Sequence, residues 1–407
     1  MTARTARPAR RTARPLLRGV YLPRTADQAA FAMTTYGIPL LVLATTGSAA
    51  LTGLAFALEW FPRIGAFTVA GTVVDRFGTA RVFRAACVTR ALAVLAAALL
   101  LSGLEAGAPA TVTVMVLAAV TGFLTEFSYV AAEAAGGKAS RAAGDRAHRV
   151  QSVLLAIDQS AMLAGPLVSG LLLEHGGPAA MLSTLAGFSL LAATLCPRQT
   201  TLPSGAAAKK SGLRAGWRTL RSLPALAWLI GGLVVSNCAV GLLQAAMPVI
   251  VVTELGRSSA DAGMIWSVAA LASLLAITAA RRAIDRWGLW PAGATAAALA
   301  AAATLAVAHA DTYRGYLLLI AVLMAGEGGL TVVLRTLRSH LIPSHVFGST
   351  LAVTILLLLL PFPAAGLLVA AVPAAQLGHA ITVVALLQAL GLATAFTRLR
   401  TLPATPA

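Results

Sequence analysis

Charged residues are scarce in this chain, and acidic residues are the scarcest. Only 11% of its 407 residues are Asp, Glu, Lys or Arg, whereas ordinary soluble domains carry about 25%. The 14 acidic residues are outnumbered by 31 basic ones, which gives a formal net charge of +17. Because 58% of the residues are hydrophobic and the mean hydropathy is +0.83, this composition excludes a water-soluble fold.

Cysteine is also rare, and nucleotide-binding and metal-binding motifs are missing. Cys87, Cys196 and Cys238 lie in or beside separate apolar runs, without metal-ligand spacing, so we expect neither a disulfide framework nor a metal site. Gly137-Lys138 lacks the upstream glycine and the following Ser or Thr of a phosphate-binding loop. We therefore predict that the chain is neither an enzyme nor an ATP-driven pump, and that it needs no cofactor.

Long apolar runs, separated by short polar breaks, fill most of the chain. Each run is long enough to cross a bilayer as a helix. The pattern predicts an all-α membrane protein of twelve transmembrane helices, at 27–46, 49–74, 80–102, 109–135, 149–173, 177–196, 224–252, 260–282, 289–309, 314–335, 347–372 and 377–397.

One short pattern occurs at equivalent places in two hydrophobic halves. Its copies are Gly71-Thr-Val-Val-Asp75-Arg76-Phe-Gly78-Thr-Ala-Arg81 and Arg281-Arg-Ala-Ile-Asp285-Arg286-Trp-Gly288. The two aspartates are 210 residues apart (285 − 75). A repeat at this spacing predicts a transporter built from two related six-helix bundles.

The first copy resembles the signature G-x-x-x-D-R-x-G-R-[KR] of the major facilitator superfamily. It departs from the signature at Thr79-Ala80, and the second copy has Arg281 in place of the first glycine. The resemblance implies pseudo-symmetric bundles and transport by alternating access. It also implies that Asp75 meets the N-terminus of the eleventh helix when the cytoplasmic side is closed, because free N–H groups there favour a carboxylate.

The same resemblance assigns further gating residues. Arg76 and Arg81 would pair with Glu133, at the cytoplasmic end of the fourth span. The second copy would contribute Asp285, Arg286 and Gly288 in the same way, and Gly71 would let another helix approach closely.

The fifth span carries a second partial motif. Ala161-Met-Leu-Ala-Gly165-Pro166-Leu-Val-Ser169-Gly170 resembles the antiporter signature G-x-x-x-G-P-x-x-G-G. The proline kinks the helix, and the small residues permit tight packing against the other bundle. This resemblance implies a proton-coupled exporter, and the overall layout of the chain resembles the drug/proton and siderophore exporter branch, whose substrates are drugs, siderophores or other natural products. A proton-coupled importer, and a non-transporting scaffold or sensor, remain alternatives.

The distribution of basic residues predicts the orientation. Of the 31 Lys and Arg residues, 27 fall on the side that holds both termini, and the opposite loops hold only Arg257 and Arg314. By the positive-inside rule both termini lie in the cytoplasm, in a plasma-membrane protein. Because these residues are scattered over loops, we expect no nucleic-acid partner; the expected partners are a small substrate, protons and lipid, and the chain should be a monomer. The predicted organisation is a disordered basic tail (1–25), an N-terminal bundle (26–196), a linker (197–223), a C-terminal bundle (224–397) and a second tail (398–407).

Acidic residues inside spans are the strongest candidates for chemistry, because a charge at the bilayer centre costs at least ~2.5–3.5 kcal/mol and needs a partner or a task. Glu59 precedes Arg63 by four residues, which is compatible with a structural ion pair or with a transport role. Arg90 is predicted to pair structurally or to extend toward the membrane surface.

The candidate proton carriers are Glu126, Asp158, Glu327 and Glu59. Glu126 and Asp158 each lie about ten residues from the turn between the fourth and fifth spans, which predicts similar depth. Two nearby carboxylates cannot both ionise easily in a medium of low dielectric, as a reversible proton carrier requires. Asp158 is the first choice, because it lies seven residues before Gly165 on the same helical face. Each acid could also be a satisfied packing residue.

The resemblance implies that the first, fourth, seventh and tenth helices line the cavity. Glu126 and Glu327 would then face the substrate from opposite halves. The remaining cavity candidates are Tyr36, Tyr129, Asn237 and Gln244. A mostly apolar cavity with a few acids suits an amphiphilic or cationic substrate better than a sugar.

The orientation can be tested with single cysteines at Ser258 and Ser204 in a cysteine-free background. We expect an impermeant maleimide added outside intact cells to label position 258 but not position 204. Labelling of 204 alone would reverse the assigned orientation.

Overall fold

The computed structural model of the chain describes residues 16–105, 107–144, 147–197, 213–342 and 346–401. Within these ranges the chain is helical, without strands. The helices are α1 (Leu22–Thr46), α2 (Ala49–Phe77), α3 (Thr79–Gly103), α4 (Ala108–Ala142), α5 (147–176), α6 (178–195), α7 (Leu213–Ser222), α8 (Pro224–Pro248), α9 (Ser259–Trp287), α10 (Leu289–Val307), α11 (Tyr313–Leu341), α12 (Phe347–Leu359), α13 (Pro361–Ala371) and α14 (Leu377–Thr401). The π-helical turns Leu17–Tyr21 and Val249–Glu254 extend α1 and α8.

Twelve of these elements or element pairs cross the membrane. Ten stretches of the described residues are long and apolar enough to do so, and one of them contains both α5 and α6. Gly177, with φ of 69°, and Pro178 separate these two helices. The helix α2 is not one of these ten stretches, since Glu59 and Arg63 in its middle make it less apolar. Its 29 residues are nevertheless long enough to cross a bilayer. The spans are therefore α1–α6, α8–α11, the pair α12–α13 and α14, which confirms the predicted fold.

The predicted boundaries need correction at both tails and at the linker. The first helix begins well inside the segment 1–25, because Leu17–Tyr21 and the start of α1 are helical. The linker includes the helix α7, and α14 continues to Thr401. Residues 1–15, 198–212 and 402–407 of the predicted tails and linker lie outside the described residues.

The two halves meet closely at one end of the molecule. We call the end that holds both described chain ends the terminal end, and the opposite end the distal end. At the distal end α5 packs on α9 backbone to backbone: a Cβ on Gly170 would lie 2.2 Å from the carbonyl oxygen of Ser259, and a Cβ on Gly263 would lie 2.3 Å from that of Pro166. Only glycine permits this approach.

The pair α2 and α13 makes the equivalent contact. A Cβ on Gly53 would lie 2.6 Å from the amide nitrogen of Ala370, and one on Gly366 would lie 2.6 Å from that of Ala57. Gly53 and Gly263 are 210 residues apart (263 − 53), the same spacing as the repeated aspartates. The repeat therefore holds along the whole of α2 and α9 and relates two crossings between the halves.

A carboxylate from one half also caps a helix of the other half at the distal end. The α9 N-terminus has a capping box formed by Ser258 and Asp261. Glu174, at the end of α5, accepts a further hydrogen bond from the amide of Ala260, at 3.1 Å. Helix N-termini favour such carboxylates, so Glu174 adds a polar contact to the glycine seal.

We expect Gly170→Ala to separate the halves at the distal end, because the added methyl group has no space beside Ser259. Distance measurements between spin labels on the distal ends of α5 and α9 should show a larger separation. Gly187→Ala is the matched control, since no atom lies within 4 Å of a Cβ at Gly187. An unchanged Gly170→Ala distance distribution would show that the glycine does not set this contact.

Candidate functional site

A cluster of two carboxylates and one guanidinium lies inside the N-terminal half. Arg63 donates to Glu59 within α2 at 3.1 Å, and its Nε lies 3.7 Å from an Oε atom of Glu126 on α4. Arg63 also donates to the hydroxyl of Thr35 on α1, at 3.4 Å. All these side chains are buried. The cluster therefore holds one more carboxylate than it has cations to neutralise.

Aromatic rings connect this cluster to the C-terminal half. The Arg63 guanidinium lies 4.1 Å from the ring centroid of Trp60 and 4.8 Å from that of Phe31. Trp60 in turn stacks on Phe362 of α13, with ring centroids 4.3 Å apart. A cation over a ring face is attracted to it, so Arg63 is in contact with an aromatic pair that joins the halves.

A second cluster is formed around Arg24, near the terminal end of α1. Its Nε and Nη2 donate to the two carboxylate oxygens of Asp158 on α5, at 2.8 and 2.7 Å. The same Nη2 contacts Glu133 on α4. Arg24 is 2% exposed, whereas the side chains of Glu133 and Asp158 are 50% and 28% exposed. The carboxylates therefore face solvent, and the arginine ties three helices together behind them.

The predicted proximity of Glu126 and Asp158 at similar depth is not found in this structure. The helix α4 continues to Ala142, beyond its predicted end at 135. Glu126 lies 16 residues before that end (142 − 126), whereas Asp158 lies 11 residues after the start of α5 (158 − 147). The difference is about 8 Å along the helix axes. Each acid consequently has a different arginine.

The predicted pairing of Glu133 with Arg76 and Arg81 does not occur in this structure either. Glu133 contacts Arg24 instead, Arg76 lies over the ring of Phe77 at 5.2 Å, and Arg81 is exposed. Arg24 reaches Glu133 from inside the bundle, because α1 begins earlier than predicted.

A third cluster is fully enclosed. Arg90 on α3 donates to Asp27 on α1 at 2.7 Å and to Ser189 on α6 at 2.9 Å. It also reaches the hydroxyls of Thr125 and Ser128 on α4, at 3.4 and 3.3 Å. Arg90 and Asp27 are 0% and 1% exposed. This pair neutralises itself and is enclosed by protein, as expected of a structural ion pair.

The C-terminal half contains a different arrangement around Glu327 on α11. Glu327 accepts a hydrogen bond from Ser236 on α8, and Ser236 accepts one from Gln388 on α14 at 2.8 Å. No Lys, Arg or His forms a salt bridge with Glu327 among the described residues. Glu327 is partly exposed although it lies in the middle of a span. It is therefore a carboxyl group in the membrane without a cation.

The remaining cavity candidates divide between two places. Tyr36 lies against Trp266 of the other half, with ring centroids 5.4 Å apart, and both line a small cavity with Gln244. Asn237 instead donates to the carbonyl oxygen of Leu358, at 2.8 Å, beside the interruption between α12 and α13. Asn237 and Gln244, although seven residues apart on one helix, therefore do not line the same cavity. Tyr129 packs on Phe31, at 6.1 Å between centroids.

A cleft of about 360 Å³ separates the halves toward the terminal end. Arg281 of α9 and Arg335 of α11 face Gln159 of α5 across the cleft. The other residues that line it are Leu155, Ile277, Thr331, Val332 and Thr336. Glu327, Thr331 and Arg335 are four residues apart along α11 and so share one face. That face runs from the carboxyl group of Glu327 to the cleft.

The repeated motif lies at this more open end. Asp75 and Asp285 are exposed, and both Gly78 and Gly288 have φ of 88°, which lets the chain turn from one helix directly into the next. A Cβ on Gly71 would meet no atom within 4 Å, so the expected close helix approach at Gly71 is absent in this conformation. Arg286 is exposed as well.

The fifth-span motif lies at the closed end. A Cβ on Gly165 would be 2.3 Å from the Cβ of Ala32 on α1, while Pro166 and Gly170 contact α9. The small residues of this motif thus face two helices, one in each half.

Sequence reasoning missed Arg24, Asp27 and the partners of Glu327. The sequence pattern places Arg24 in a basic tail and Asp27 at the start of the first span, and it indicates no buried partner for either. A signal was available for Asp27, because Arg90 in a span needs a buried acid. No sequence signal distinguished Ser236 and Gln388 from other polar residues. No group of three His, Cys, Asp or Glu side chains in the described residues could hold a metal ion.

Comparisons with known proteins agree with this architecture. The sequence profile of the Major Facilitator Superfamily matches residues 25–366. The multidrug efflux pump Tap of Mycobacterium tuberculosis, and that of Mycobacterium bovis, are 31% identical over 198 residues. The match covers 46% of this chain and 47% of the mycobacterial protein, so the chain spans about half the length of the curated relatives it matches.

Solved structures of transporters share the fold. A bacterial homologue of the iron transporter ferroportin in its inward-facing state superposes with a TM-score of 0.71 at 17% identity, covering 97% of this chain and 100% of that one. The nucleoside transporter NupG gives 0.70 at 11% identity, covering 93% and 98%. The ferroportin homologue in its outward-facing state gives 0.64 at 15% identity, covering 94% and 98%.

We expect Arg90→Gln to destabilise the protein by about 3–5 kcal/mol, because it leaves Asp27 buried without a cation. Thermal unfolding in detergent should show the loss, and adding Asp27→Asn should recover part of it. Arg84→Gln, at a half-buried site, is the control and should change stability little. Additive losses in the double variant would contradict the pairing.

Proposed function

The chain belongs to the Major Facilitator Superfamily, and we propose that it exports a small amphiphilic molecule from the cytoplasm in exchange for protons. It is a multi-pass membrane transporter, which agrees with the prediction that it is not an enzyme. Export is supported by the partial similarity to the Tap multidrug efflux pump. Exchange for protons is supported by the arrangement of carboxyl groups.

The observation that carries the proposal is the environment of Glu327. An ionised carboxylate in a span costs at least ~2.5–3.5 kcal/mol unless it is compensated. Ser236 supplies one hydrogen bond to Glu327 but no positive charge. A carboxyl group in this position is best accommodated with a proton, and it releases the proton when water or a cationic group of the substrate arrives. Glu327 therefore replaces Asp158 as the first choice, because Arg24 occupies both oxygens of Asp158.

The cluster around Arg63 is the second carrier site in this proposal. Glu59 and Glu126 share one guanidinium, so a proton on either acid makes the cluster neutral. Loss of that proton would draw Arg63 toward the ionised acid. Because Arg63 lies over Trp60, and Trp60 stacks on Phe362 of the other half, proton transfer would then act on the contact between the halves.

The cleft at the terminal end suits loading from the cytoplasm. With the orientation predicted from the basic residues, the closed distal end faces outward and the cleft faces inward. The substrate would pass Arg281 and Arg335 before it reached Glu327. Asp75 and Asp285 are exposed in this state, and in the proposal they would meet helix N-termini when the terminal end closes.

We expect reconstituted protein to accumulate ethidium, a cationic amphiphile, against a proton gradient. The relevant protein molecules are those inserted with the terminal end on the outside of the vesicle. When the lumen is acidic, protons leaving through these molecules should drive ethidium into the lumen. Glu327→Gln should abolish this gradient-driven accumulation yet retain downhill ethidium exchange, because the amide cannot carry a proton. Glu254→Gln is the control, since Glu254 is exposed at the distal end.

The same assay separates the alternative functions. Accumulation that requires acid outside the vesicle would identify a proton-coupled importer. Absence of ethidium-dependent proton movement under either gradient would argue against coupled transport of this class of compound. In detergent, ethidium-induced proton release that is equal in wild type, Glu327→Gln, Glu126→Gln and Glu59→Gln would contradict the carrier assignment.

A further inference from the structure

The short helix α7 is docked firmly on the C-terminal half. A Cβ on its Gly216 would lie 2.1 Å from the carbonyl oxygen of Ser349, so the backbones of α7 and α12 are in direct contact. Leu220, one turn later, is 4% exposed and belongs to the same apolar cluster as Leu226 of α8 and Val353 of α12. One face of α7 is therefore fixed to the transmembrane helices.

The opposite face of α7 is cationic and exposed. Arg214, Arg218 and Arg221 are spaced by four and three residues, so they share one side of the helix. All three are exposed, and none forms a salt bridge among the described residues. Trp217, 41% exposed, flanks this stripe, and the Arg221 guanidinium lies 5.0 Å from the centroid of its ring.

The position of α7 along the chain places it at the membrane surface. Only Leu223 separates it from α8, which enters the bilayer at Pro224. Trp228, one turn into α8, is exposed, and Arg398 at the end of α14 lies 5.8 Å from the centroid of its ring. Exposed tryptophans with arginines beside them are typical of the level of the lipid headgroups. An amphipathic helix at this level with a row of arginines is electrostatically complementary to anionic lipid.

We infer that the α7 stripe of Arg214, Arg218 and Arg221 binds the headgroups of anionic phospholipids. The guanidinium groups donate hydrogen bonds to the phosphates, and Trp217 lies between the headgroups and the acyl chains. Because Gly216 and Leu220 hold α7 on α12, the lipid fixes the depth of the terminal end of the C-terminal half. This inference is independent of the transported molecule.

Trp217 provides the measurement. The protein is reconstituted in phosphatidylcholine vesicles containing phosphatidylglycerol, with acyl-chain bromine as a quencher on one lipid or on the other. The difference between wild type and Trp217→Phe isolates this tryptophan from the other five. We expect brominated phosphatidylglycerol to quench Trp217 more strongly than brominated phosphatidylcholine at equal mole fraction, and the excess to fall at high salt.

The triple variant Arg214→Gln, Arg218→Gln and Arg221→Gln should lose this excess. Each arginine near an anionic surface contributes about fivefold in affinity, equivalent to ~1 kcal/mol, so three removals lower the preference by roughly 100-fold. The matched control is Arg141→Gln, Arg149→Gln and Arg282→Gln, which removes three exposed charges from the same end outside α7. Replacing the α7 arginines by lysines should retain most of the preference, because the charge is kept.

Three results would overturn the inference. Equal quenching by the two lipids would show that α7 has no preference for anionic headgroups. The excess quenching by phosphatidylglycerol could also persist in the triple glutamine variant, or the control triple could remove it equally. Either result would assign the lipid preference to charges outside α7. Quenching by neither lipid would show that Trp217 does not reach the lipid, and that water or protein covers this face instead.

Discussion

Neutralisation of charge inside an apolar environment is the constraint on which the N-terminal half depends. Arg24, Arg63 and Arg90 are each almost completely buried, and each bridges at least three helices. Removing one partner of such a pair is costly, because the remaining charge cannot regain water. These arginines therefore fix the relative positions of α1 to α6 more specifically than alanine and leucine packing alone could do.

The C-terminal half lacks this charge network among its described residues. Its described spans contain no buried arginine comparable to those three. Close backbone packing at glycine, which the N-terminal half also has at Gly122, joins its helices: a Cβ on Gly328 of α11 would lie 2.8 Å from the carbonyl oxygen of Ser273, and one on Gly326 would lie 2.8 Å from that of Ala296. Such packing needs no charge. Among the described residues Glu327 has no cation as a partner, whereas every acid of the N-terminal clusters has an arginine beside it.

The sequence predicted those features that depend on periodicity and repetition, and it failed where they depend on helix ends. The twelve spans and the repeat follow from the apolar runs and the 210-residue spacing. The depth of Glu126 does not, because the small and polar residues 136–142 continue α4 beyond the end of its apolar run. Arg24 was missed because several arginines precede it in the chain. Such a sequence resembles a basic tail, although Arg24 is helical and buried. Which arginine each acid binds depends on helix rotation, which composition does not encode.

The repeat places two functional positions at opposite ends of the single rigid helix α9, so that they move together. Gly263 and Asp285 are 22 residues apart (285 − 263), close to six helical turns, so they lie on nearly the same face at opposite ends of one helix. The distance between them is about 33 Å. A tilt of about 10° around the middle of the helix would move its ends by ~3 Å in opposite directions. Loosening the glycine contact at one end and advancing the aspartate at the other are then a single motion of a rigid body.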